Sequence, residues 1–112
     1  VDLDVRQTGN ICVLKVKGRL NSGPPVEALS AAIQSALDSG HIQIVLNLEA
    51  MPVIDSSGIG TVVNALRLAK KLGGDVKLVN PSPFAEKTFK MVGILNLFTV
   101  YATEGEAVTA IG

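Results

Sequence analysis

The chain has 112 residues, 47% of them hydrophobic and 18% charged, which is ample for one core in a single domain over residues 1–112 and leaves no room for a second. Ten basic side chains balance ten acidic ones, so net charge marks neither a nucleic-acid footprint nor a polybasic membrane patch, and a protein is the expected partner. No apolar run reaches the length of a membrane span, Val1-Asp2-Leu3-Asp4 lacks the basic start and apolar core of a secretion signal, and the lone Cys12 excludes an intrachain disulfide, so a cytoplasmic protein is expected.

Leu3 to Arg6 and Ile11 to Lys17 are β-rich runs separated by Gln7-Thr8-Gly9-Asn10, where Gly and Asn suit a tight turn, so the chain should open with a hairpin. Gly18-Arg19-Leu20-Asn21 reads as a further turn. Ser22-Gly23-Pro24-Pro25 is a helix start, because proline is tolerated in the first turn, and Val26, Leu29, Ile33 and Leu37 then recur at helical spacing until Gly40. His41 follows as a loop residue, with no Cys, Asp or Glu at metal-ligand spacing around it.

Ile42 to Leu48 is nearly continuous in apolar residues, the pattern of a strand buried on both faces at the centre of a sheet. Met51-Pro52-Val53-Ile54 reads as a connection packed onto that sheet, or else as an exposed apolar ridge. From Ser56 onward Ile59, Val62, Val63, Leu66, Ala69 and Leu72 form an apolar helical face, with Arg67, Lys70 and Lys71 near the end and Gly73-Gly74 stopping it.

Val76 to Val79 is the next strand. Asn80-Pro81-Ser82-Pro83 then leads into a helix whose inward side is expected to hold Phe84, Thr88 and Met91, with Ala85, Phe89 and Val92 beside them, up to Gly93. Leu97 to Tyr101 reads as a last strand, and Thr103 with Glu106 has the capping-box spacing that opens a helix through Ala107, Val108 and Ile111. Strands alternating with helices after a hairpin predict an α/β fold with a mixed, mostly parallel sheet of about five strands and about four helices.

Between the central strand and the second long helix, the apolar run stops at Asp55-Ser56-Ser57, and Gly58-Ile59-Gly60 begins the helical pattern. The first amides of a helix lack partners and carry the positive end of its dipole, so this position suits either a capping hydroxyl or a phosphate. From these residues alone, Asp55 with Ser56 and Ser57 reads first as simple caps. A serine hydrolase would need Gly two residues before the nucleophile, where Ser56 has Ile54 and Ser57 has Asp55. Gly58-Ile59-Gly60 lacks the third glycine of a dinucleotide fingerprint. No catalytic group, metal site or cofactor site is expected.

The string Asp55-Ser56-Ser57-Gly58-Ile59-Gly60 after an apolar stretch, with the hairpin, helix and strand before it, resembles the anti-sigma factor antagonists, whose fold is the STAS domain, over essentially the whole chain. The resemblance implies a binding protein and not an enzyme. In its unphosphorylated form it would bind an anti-sigma factor that is also a serine kinase, releasing a sigma factor. The kinase would then phosphorylate the serine directly after the motif's Asp, here Ser56, and a phosphatase would reset it. The implied docking surface comprises Asn21, Ser22, Asp55, Ser56, Ser57, Gly58, Ile59 and Gly60, with Gly58 and Gly60 expected to let a partner's backbone approach closely.

Two positions depart from the family pattern. Asn21 stands where the family usually has Asp, and Pro24-Pro25 where Thr-Ala is common. A different use of the same fold, as a scaffold of a signalling assembly or an accessory subunit of a membrane transport system without a kinase cycle, is the alternative; the retained Asp55-Ser56-Ser57 string favours the antagonist.

Overall fold

The computed structural model describes residues 2–111; Val1 and Gly112 lie outside the described residues. Strands β1 (Asp2–Thr8) and β2 (Ile11–Lys17) form an antiparallel hairpin with Thr8 opposite Ile11 and Asp2 opposite Lys17. The turn uses only Gly9 and Asn10, with Gly9 at φ 57°, so Gln7 and Thr8 join the strand instead of the loop. A glycine with positive φ at the first central position is what a two-residue turn needs to follow the twist of its strands.

The remaining elements are α1 (Pro24–Asp38), β3 (Gln43–Asn47), α2 (Ser56–Lys71), β4 (Asp75–Val79), α3 (Pro83–Met91), β5 (Thr99–Tyr101) and α4 (Glu104–Ile111). Among the described residues the sheet runs in the order β1-β2-β3-β4-β5, antiparallel only in the hairpin, with β3 at its centre. Among the described residues this is the expected mixed sheet with four helices.

Two cores lie on opposite faces of the sheet, as the continuous apolar run in β3 demands. Cys12, Leu14, Val16, Ile44, Leu46, Val76 and Leu78 face α1, α2 and α3, which contribute Leu29, Ile33, Val62, Ala65, Ala85 and Phe89. Ile11, Val13, Val45 and Val79 face α4, which supplies Ala107 with Val108 and Ile111 at its margin. Met51 is wholly buried and Ile54 nearly so, so the connection after β3 packs into the first core and forms no apolar ridge. Cys12 is a free, buried thiol whose pKa is pushed up by burial.

Some expected faces shift. The buried line of α2 is Gly58, Val62, Ala65 and Ala69, while Ile59 and Leu66 flank it half-buried and Leu72 caps the helix in solvent. Small residues carry the closest approach, and a count of large apolar positions misplaces the centre. In α3 only Ala85 and Phe89 are buried; Phe84 is 50% exposed, Met91 77% and Val92 53%. A helix of nine residues presents one narrow line to the sheet, so the broad inward side expected there does not form. Leu95–Leu97 makes a short 3-10 turn, leaving only Thr99–Tyr101 as strand β5.

The helices α1, α2 and α3 end alike. In each, the glycine after the C-cap (Gly40, Gly73, Gly93) has positive φ, and the next residue's N–H donates back to the carbonyl of Ala36, Ala69 or Phe89. This is the Schellman arrangement that the three glycines announce in the sequence. The amide of Glu106 donates to Thr103 Oγ1 at 3.1 Å, as a capping box requires, but the Glu106 carboxylate accepts from Ala102 N at 3.3 Å, one residue before the usual partner.

Candidate functional site

The site is built where the segments following β2 and β3 run side by side. Gly18 N donates to Ala50 O at 2.9 Å, Leu20 N to Val53 O at 2.8 Å, and Asp55 N to Leu20 O at 3.2 Å. Leu20 and Ile54 thereby form a parallel bridge beyond the ends of the strands. Both are buried, so apolar packing and backbone hydrogen bonds together fix the loop after β2 against the start of α2.

Asp55 then holds the corner. Its Oδ1 accepts from Gly58 N at 2.9 Å, capping α2, and its Oδ2 accepts from Ser22 N at 3.0 Å and from Ser22 Oγ at 3.4 Å. Ser57 Oγ lies 3.4 Å from Ser22 Oγ and extends the chain of contacts. Gly58 N–H, then Ser22 N–H, hold the Asp55 carboxyl below the usual carboxylate range, because both favour the charged form. Ser22 is therefore no cap for α1, whose N-cap is Gly23 with no side-chain hydrogen bond; its polar groups turn to α2.

Ser56 is the first residue of α2, directly after the cap, and its side chain is exposed. Among the described residues its hydroxyl has no hydrogen-bond partner, in contrast to those of Ser22 and Ser57. It is thus free to meet an outside group, beside the helix amides and a fixed carboxylate. The simple-cap reading fits Asp55 and not Ser56.

The structure brings Ser22, Asp55, Ser56 and Ser57 to one exposed corner, with half-buried Asn21 next to Ser22. Gly60 is exposed with open space around it. Ile59 is half-buried and packs against the first core, so it has one side in the fold. Gly58 has a different role from the one expected. It is buried, and a Cβ there would stand 2.5 Å from Leu20 O and 2.7 Å from Ile54 Cγ1. The backbone that approaches Gly58 is the chain's own.

Two clusters of contacts beyond the motif were not read from the sequence. Ser82 caps α3 by accepting from Ala85 N at 3.2 Å, and its hydroxyl donates to Met51 O at 2.7 Å, fastening the connection that leads to Asp55. On the opposite face, buried Asn47 donates to Glu104 Oε2 at 2.7 Å, and Arg6 pairs with Glu104 Oε1, tying β1, β3 and α4 together. Asn47 interrupts an apolar strand, which was the available signal.

A family model described as the STAS domain matches residues 2–107. The anti-sigma F factor antagonist of Lysinibacillus sphaericus is 34% identical over 102 residues, covering 90% of this chain and 86% of that protein. The unphosphorylated form of the anti-sigma factor antagonist SpoIIAA superposes with a TM-score of 0.86 at 29% identity, covering 98% of this chain and 96% of the other. The phosphorylated form of the Bacillus cell fate determinant SpoIIAA gives 0.82 at 30% identity, covering 99% and 100%. The Lysinibacillus sphaericus protein and unphosphorylated SpoIIAA are both named as antagonists and not for a catalysed reaction, in keeping with a chain that is not an enzyme. No helix among the described residues is long and apolar enough to cross a membrane.

Proposed function

The chain belongs to the STAS domain family, among anti-sigma factor antagonists, and from that premise we propose a partner switch acting at Ser56. The unphosphorylated protein docks an anti-sigma factor serine kinase in the cytoplasm through Asn21, Ser22 and Asp55 to Gly60, and a sigma factor is released. Phosphate transfer to Ser56 ends the contact, and a phosphatase restores it.

The observation that carries this reading is the free, exposed hydroxyl of Ser56 beside three groups already committed to one another. A kinase can take Ser56 without breaking the cap. The phosphate adds roughly 1.5–2 negative charges and acceptor oxygens. The α2 terminus tolerates that charge, whereas a partner surface fitted to a neutral hydroxyl must desolvate it, and Asp55 adds like-charge repulsion close by. Binding should therefore weaken while the fold persists.

Asn21 keeps the hydrogen-bonding capacity of the Asp usual in the family and removes one charge near the phosphate. Pro24 and Pro25 stiffen the start of α1 next to Ser22. Both support a partner whose docking surface differs from those of the named relatives.

The test is to incubate the protein with ATP and the kinase co-purified from its own cells, then locate phosphate by intact-mass and phosphopeptide analysis. Ser56→Ala should abolish incorporation and leave kinase binding largely intact. Ser56→Asp should weaken binding measured by calorimetry. Full incorporation into the Ser56→Ala protein would overturn the assignment.

A further inference from the structure

We infer that the free edge of β1 is an interface with a second copy of this chain, joining two sheets into one across a two-fold axis at Val5. Among the described residues β1 is an edge strand, paired only with β2, and all of its residues are exposed except half-buried Leu3. In a hairpin closed by a two-residue turn, the flanking pair exchanges both backbone bonds, and alternate pairs do so along the ladder. Thr8, Arg6, Asp4 and Asp2 therefore spend their backbone groups on β2, and Leu3, Val5 and Gln7 aim theirs at the open edge.

Placed antiparallel about Val5, two such edges match. Leu3 of one copy faces Gln7 of the other, Val5 faces Val5, and each residue exchanges N–H and C=O with its opposite. Between these pairs Asp4 faces Arg6 of the second copy, twice by symmetry, at the closer, non-hydrogen-bonded spacing of about 4.5 Å between Cα atoms. Asp4 and Arg6 alternate with Leu3, Val5 and Gln7, so their charges meet on the α4 side of the sheet, opposite Lys15 and Val13 of β2. Val5, 46% exposed despite being apolar, meets its own copy on the other side.

Charge selects this register. Moving the axis by one residue preserves the backbone parity but sets Asp4 against Asp4 or Arg6 against Arg6, and like charges directly opposite are destabilising. Edge charges usually serve to prevent pairing. Here they prevent the slipped pairings and complement the centred one. Arg6 keeps its partner Glu104 while meeting Asp4, since a guanidinium has donors for both carboxylates. The interface is isologous, and it leaves the Ser22–Asp55 corner, which carries no β1 residue, open to a partner.

The experiment is sedimentation velocity and amide exchange on the whole chain over a concentration series. The expected result is a dimer whose Leu3, Val5 and Gln7 amides gain protection as it forms. Val5→Pro removes an N–H that the β1–β2 ladder does not use, which an edge strand tolerates, and should leave a folded monomer by circular dichroism. Asp4→Lys, a surface change, should also give a monomer, and Met91→Ser, on another exposed face, should leave the dimer intact. A wild-type monomer at every concentration, or a dimer indifferent to both Val5→Pro and Asp4→Lys, overturns the proposal.

Discussion

Asp55 decides the geometry of the site with a single carboxylate, one oxygen closing α2 and the other holding the Ser22 loop. Asp55→Ala should leave the core in place and remove protection from the Gly58 and Ser22 amides in hydrogen exchange; retained protection at Ser22 N would mean that the Leu20–Ile54 bridge alone sets the loop. The pH dependence follows from its depressed pKa. The carboxylate's contribution is complete above its unfolded pKa and is lost as pH falls through the lower folded value, so the loop should loosen only in acid. Gly58 gives a second prediction. Helix propensity alone favours alanine there by about 1 kcal/mol, but the new Cβ would meet the fixed Leu20 carbonyl at 2.5 Å, and overpacking of this kind typically costs about 1–3 kcal/mol. Gly58→Ala should therefore lower the urea midpoint, and a rise would show that the close approach yields readily.

At the scale of elements, the glycines after helices, the prolines before them and the unbroken apolar run of β3 made the order of strands and helices readable, because each depends on local backbone preference. Depth of burial was less readable, because it depends on which other element arrives. Asp55-Ser56-Ser57 could be placed before a helix, yet the tie from Asp55 to Ser22 spans 33 positions and leaves no local mark. The position of Gly58 against Leu20 was equally hidden. Helix α3 tests the distinction between apolar sequence and actual burial. Phe89 is wholly buried and lies 6.4 Å from Phe98 between ring centres, so Phe89→Ala should cost about 3–5 kcal/mol. Met91→Ala, two residues on, should stay within about 0.5 kcal/mol of wild type, both measured by chemical denaturation. Equal losses would mean that the broad apolar side is buried after all.

For the whole molecule, the two faces of the sheet are held by different means. Three helices cover the first with a large apolar core, whereas α4 covers the second with Ala107 and its neighbours and is anchored at its first residue by Glu104. Burial opposes ionisation of Glu104, but the hydrogen bond from Asn47 and the pair with Arg6 outweigh it and hold the carboxyl below its usual value. Arg6, its own pKa raised by Glu104, stays charged throughout, so the titrating partner is the acid. The anchor is complete above the unfolded carboxyl pKa of about 4.3 and is lost as pH falls through the lower folded value. On acidification, α4 amides should therefore exchange faster before those of β3 and β4. Glu104→Gln should weaken α4 protection at neutral pH and flatten this acid response without abolishing it, because Asp55 and Asp75 are depressed as well and continue to titrate. An acid limb unchanged by Glu104→Gln would locate the pH sensitivity at the Ser22 corner or at Asp75 with its lysine partners, and would leave α4 held by Ala107, Val108 and Ile111 alone.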